Sequence, residues 1–209
     1  MSVIFLLVFF VFQKNEDKIS NENEWAYPKL IAPYDKLPNS DYNSPKEKFT
    51  DSLLKVSFNY PTKYFPRSVK ADENEALADI VFIKERNADR EQLIDDVLNC
   101  ILTNRTNPSG MCRESLLGDV EVGISTPKGD PDNVDHGSED CVKQIISEDK
   151  ILYSCSTLIA PGPSSDYAGV NYDLYIKGNS PRRIGITTGK PEQYSDLIKS
   201  IVETSKVLP

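Results

Sequence analysis

Apolar and polar positions alternate over several short stretches of the chain. Leu54, Val56, Phe58 and Tyr60 alternate with Lys55, Ser57 and Asn59, the period of a half-buried strand. Pro61 ends that run, since it cannot donate to a ladder. Tyr64-Phe65-Pro66 follows and leads into a polar loop. Ala78 to Lys84 is a β-rich run with a buried middle. Val120, Val122 and Ile124 alternate with Glu121 and Gly123. Val142–Ile146 and Ile151–Ile159 flank Ser147-Glu148-Asp149 as the two arms of a hairpin. Tyr172, Leu174 and Ile176, then Ile184 and Ile186, alternate on either side of the Gly178-Asn179-Ser180-Pro181 turn.

Two stretches switch to the helical period. Leu93, Ile94, Val97, Leu98, Ile101 and Leu102 form a wide apolar face, with Asp89 as the expected cap and Gln92 at its third helical position. That helix should stop by Asn104, before Pro108 and Gly110. Pro191 opens the second helix, where a fixed φ and a missing N–H are tolerated. Tyr194, Leu197, Ile198, Ile201 and Val202 make its stripe. The expected order is β-β-α-β-β-β-β-β-α, with a last short strand at Lys206-Val207. Adjacent hairpins and two long helices imply an α+β fold, an antiparallel sheet sandwiched by helices.

The N-terminal pattern differs. Val3 to Phe12 is unbroken apolar sequence, short of the roughly 20 residues that span a bilayer but of a length that suits a signal-peptide core. No Lys or Arg precedes it and no small-x-small cleavage site follows. It is taken as a signal or anchor remnant, residues 1–12. Residues 13–48 carry prolines at 28, 33, 38 and 45 among polar residues, the composition of a semi-rigid linker. Residues 49–209 form the expected single domain. The tether could hold a membrane-anchored domain in an extracytoplasmic compartment.

Charge narrows the partners. A formal net charge of −8 argues against nucleic acid and against anionic lipid surfaces. Arg182-Arg183, beside a turn, is expected to be a solvated pair. The four cysteines invite pairing in an oxidising compartment and allow three connectivities. Cys141 and Cys155 would lie opposite each other in the hairpin, and Cys100 and Cys112 flank the end of the first helix. Four reduced thiols or a zinc site compete with that pairing, but there is no Cys-x-x-Cys knuckle and only one histidine, His136.

The opening strand Lys55-Val-Ser-Phe-Asn-Tyr-Pro61 and the closing hairpin and helix, Tyr-Asp-Leu-Tyr-Ile-Lys then Arg-Ile-Gly-Ile-Thr-Thr, resemble the PsbP/Mog1-like superfamily. The resemblance covers roughly residues 50–207. It implies an α-β-α sandwich around an antiparallel sheet and a binding or accessory role, with no catalytic residues to carry over. Among such proteins, exported bacterial domains are the most similar in character.

Candidate chemistry is sparse. Gly123-Ile-Ser125 lacks the second glycine of a nucleophile elbow. Asp130, Asp132 and Asp135 lie in one loop, a weak Ca²⁺ candidate that misses EF-hand spacing because Val134 takes the fifth position. Asp130, Asp135 and His136 are the residues a loop-assembled envelope hydrolase would use. Gly189-Lys190-Pro191 could offer N–H groups to an anion, though Pro191 removes one donor. Asn104-Arg105-Thr106 is a glycosylation sequon. The expectation is a binding protein without a cofactor, whose partner is a protein or small ligand at the cell envelope.

Overall fold

In a computed structural model the described residues are 32–39, 44–69, 77–103, 119–127, 129–134, 141–158 and 168–209. A 3₁₀ turn, Tyr34–Lys36, precedes β1 (Lys46–Asp51), β2 (Val56–Pro61), β3 (Phe65–Val69) and β4 (Leu77–Ile83). Next come α1 (Ala88–Thr103), β5 (Val120–Ser125), β6 (Cys141–Ser147) and β7 (Lys150–Leu158). The chain ends with β8 (Ala168–Ile176), β9 (Arg182–Thr188), α2 (Ser195–Thr204) and β10 (Lys206–Val207).

Among the described residues the strands form two sheets, ordered β1-β2-β10 and β3-β4-β5-β9-β8-β7-β6. Every pairing is antiparallel. The larger sheet has helices on its two faces. Alternation along β4 shows this: Ile80 and Phe82 enter the main core with Leu197, Ile198 and Ile201 of α2. Val81 and Ile83 point the other way, into a smaller cluster with Ile94 and Leu98 of α1. The α+β reading of an antiparallel sheet between helices therefore holds. The sheet β1-β2-β10 is an addition, and its Val56, Phe58 and Tyr60 share the main core with α2.

Several local expectations need correction. Helix α1 begins at Ala88, and its cap is Asn87, whose Oδ1 accepts the Arg90 N–H at 3.1 Å. Asp89 lies inside the first turn, and Gln92 Nε2 donates onward to Asp96 at 2.8 Å. Pro191 to Tyr194 form a turn and regular helix starts at Ser195. The β6–β7 ladder closes at Ser147↔Lys150, so the turn is two residues, with an irregularity between Ile145 and Ser147. Cys141 and Cys155 nevertheless stand opposite each other and are bonded.

The largest difference lies in the stretch read as linker. Residues 32–39 pack onto the domain, with Leu37 only 4% exposed inside the main core. Strand β1 also starts before Phe49, pairing Phe49 with Phe58 so that the rings stack at 4.9 Å.

Candidate functional site

Four side chains from three elements hold the strap 32–39. Tyr172 on β8 donates its hydroxyl to the Ala32 carbonyl at 2.9 Å. Burial, with Glu192 adding to it, pushes the Tyr172 pKa above its ordinary range, so the donor proton stays in place. Lys199 on α2 is buried and donates from Nζ to the Leu37 carbonyl at 2.9 Å and to Asn39 Oδ1 at 3.4 Å. Tyr34 donates to Glu203 at 3.3 Å, and Gln144 on β6 donates to Asp35 at 2.9 Å.

Across from the strap lies the turn joining β9 to α2. Thr188 Oγ1 accepts the Lys190 N–H at 3.2 Å and donates to the Asp119 carbonyl at 2.9 Å. The Lys190 carbonyl in turn accepts the N–H groups of Gln193 at 3.1 Å and Tyr194 at 3.3 Å. Between strap and turn is a cavity of about 640 Å³, walled by Ala32, Pro33, Lys36 and Leu37 on one side and Gly189 to Gln193 on the other. Pre-formed concave sites of roughly 300–1,000 Å³ are typical of small-molecule binding. The walls offer an apolar surface from Pro33, Leu37 and Pro191, two ammonium groups, one carboxylate and one side-chain amide. These are binding groups; no nucleophile–base pair occurs among these lining residues.

Apart from Gly189-Lys190-Pro191, the described residues singled out from sequence are placed elsewhere. Asp130 organises its own turn, accepting the Asp132 N–H and the Asn133 side-chain amide, each at 2.9 Å. Asp132 pairs with Lys177 at 2.7 Å, and that contact lowers its pKa. Two of the three carboxylates of the weak Ca²⁺ candidate thus have protein partners; Asp135 and His136 lie outside the described residues. Among the described residues no group of three metal-ligating side chains comes together. Cys141 and Cys155 are joined with Cα atoms 4.1 Å apart, and Cys100 is disulfide-bonded too. Cys112, its expected partner, and the sequon at Asn104 lie outside the described residues.

Arg182 and Arg183 are not a solvated pair. Arg182 Nε donates to the Leu54 carbonyl at 2.7 Å. Arg183 forks onto buried Asp173, with both bonds at 2.9 Å. Their positions on β9 aim them at a loop carbonyl and a cross-strand carboxylate.

Sequence reasoning missed the strap side of the cavity. Leu37 is one apolar residue between Pro33 and Pro38, without period, and Lys199 sits beside the apolar stripe of α2. The turn side was singled out only as a weak anion contact at Gly189-Lys190-Pro191.

The site and fold define a helix-flanked antiparallel α+β domain with a cavity against its N-terminal strap. No family model matches the chain. Over 67 residues, 32% of its length, it is 31% identical to a carbamoyl phosphate synthase large chain of Methanosarcina barkeri, taking in 17% of that protein. A second such protein, from Methanosarcina barkeri strain Fusaro, matches at 31% over 67 residues and 6% of its length. The matches thus take in less than a fifth of either curated relative, too little to place the chain in their family. In structure the chain is similar to the Saccharomyces cerevisiae Ran-binding protein Mog1p, with TM-score 0.42 and 8% identity over 79% of this chain and 96% of that one. It is also similar to cyanobacterial PsbP (CyanoP) from Synechocystis sp. PCC 6803, with TM-score 0.35 and 11% identity over 81% and 96%. At these scores the likeness concerns the fold and extends no further.

Proposed function

We propose that this chain is a non-catalytic binding domain whose ligand occupies the cavity between residues 32–37 and 189–193. The observation that carries this reading is the pre-formed cavity, whose two walls are each pinned by side-chain hydrogen bonds. A site that needs no ordering on binding loses little conformational entropy. The domain works outside the cytoplasm, tethered through the residues before Ala32, with the strap 32–39 and the elements from Lys46 onward as its folded part. The Cys141–Cys155 bond and the apolar run Val3–Phe12 support that location.

Gln193→Trp places a bulky ring at an exposed position on the cavity wall. With immobilised protein and an envelope extract, the variant should lose what the wild type retains, while its unfolding midpoint stays the same. Unchanged retention would rule out the cavity. The location has its own measurement, intact mass before and after reduction and alkylation of exported protein. Two disulfides are expected, and four free thiols would defeat the compartment assignment.

A further inference from the structure

We infer that the cavity takes a small amphipathic monoanion, a carboxylate-type head on an apolar body, with Lys36 and Lys190 gripping the head from opposite walls. The inference rests on the cavity being the binding site and adds the class of ligand.

The body of the ligand follows from the wall. Pro33 and Pro191 carry no N–H, and with Ala32 and Leu37 they give the cavity an apolar lining. A purely polar ligand would leave that surface facing water. The head follows from the charges. Lys36 comes from the strap and Lys190 from the turn, about 150 residues later in the chain. Both ammonium groups are available. The Lys36 side chain is 76% exposed and among the described residues meets only its neighbour Asp35, at 3.2 Å, and an exposed pair of that kind contributes little. The Lys190 backbone N–H is held by Thr188, which fixes the residue while its ammonium has no partner among the described residues. A long stem then lets that ammonium swing to a bound head.

The count of charges sets the valence. Asp35, at 3.2 Å, already faces the Lys36 ammonium, so Lys190 is the lining cation left without a carboxylate partner among the described residues, within a chain of net charge −8. One such ammonium in a negative protein matches one negative charge on a ligand that the surrounding surface repels. Glu192 stands against a second negative charge on the ligand, which favours a monoanion over a phosphate dianion. The Gln193 amide supplies a neutral donor on the same wall.

Three probes with the same tail separate the terms: octanoate, octylammonium and 1-octanol, titrated against the ¹⁵N-labelled full chain. The amide signals of Gly189 and Gln193 report the cavity. Octanoate should move them and bind at least about tenfold more tightly than either other probe, the size of one good charge-assisted contact. The double variant Lys36→Ala/Lys190→Ala should weaken octanoate about tenfold and leave 1-octanol unchanged. Both positions are solvent-facing, so the fold should tolerate the change. Octylammonium or 1-octanol binding as tightly as octanoate, or a double variant that binds octanoate unchanged, overturns the ligand class and leaves the cavity standing as the site. If none of the three probes moves these amides, the cavity fails as the site and the ligand class fails with it.

Discussion

Gly185 has no side chain because Asp173 needs the space. A Cβ there would stand 3.1 Å from Asp173 Oδ1 and 3.6 Å from Asn171 Oδ1. Asp173 is 1% exposed and takes both bonds from Arg183 across the β8–β9 ladder. Removing one partner of such a pair leaves a charge without compensation. Arg183→Met should therefore cost about 2–4 kcal/mol, read as a lower urea midpoint. Gly185→Ala should cost about 1–2 kcal/mol by crowding the carboxylate. A neutral Arg183→Met would mean that the pair adds nothing net. Glu91 supplies a pH test. Hydrogen bonding from Arg86, then from Arg67, pushes its pKa from 4.5 to about 2. Because the folded value is depressed, its contribution is fully present above 4.5 and is lost as pH falls toward 2. Stability of the wild type should decline across that window more steeply than that of Glu91→Gln. Equal slopes in denaturant titrations would show that the arginine contacts do not stabilise the fold.

At the scale of elements, α2 serves the core and the strap at once. Leu197, Ile198, Ile201 and Val202 are fully buried, while Lys199 on the same helix holds Leu37 and Asn39. Leu197→Ala should cost about 2–5 kcal/mol as a core truncation. Lys199→Met separates the helix's two roles, keeping the apolar stem and removing the donor. Limited proteolysis should then cut within residues 32–39 faster than in the wild type, with the global melt little changed; equal cleavage rates would show that Lys199 does not hold the strap. The same contrast explains what the sequence revealed. Strands β2, β5, β8 and β9 carry clear apolar alternation, β4 and β7 carry short apolar runs, and α2 carries a clean stripe, so both periods were legible. Strand β1, Lys-Glu-Lys-Phe-Thr-Asp, offers one large apolar residue in six and is defined by pairing with β2, which local pattern does not encode. β3 includes Pro66, which hid it as a loop; the edge of the sheet tolerates proline. The cavity was illegible for a related reason: its walls lie more than 150 positions apart, and only the tertiary fold brings them together.

For the whole molecule, Cys141–Cys155 ties the edge strand β6 to β7 at a sequence separation of 14. Loss of a bridge closing a loop of that size costs about 3 kcal/mol in the chain-entropy account. Cys141→Ser/Cys155→Ser should thus lower the unfolding free energy by about that amount, measured in urea, while the main core stays assembled below the transition. No change would place the edge strand's stability wholly in its ladder. The strap also bears on reach and orientation. Ala32 is clamped by Tyr172 and lines the cavity, so the polypeptide enters the domain beside the opening. About nineteen residues separate it from the apolar run ending at Phe12. That length extends at most about 65 Å. If the run is held at a bilayer, the cavity opening stands within that distance of the surface.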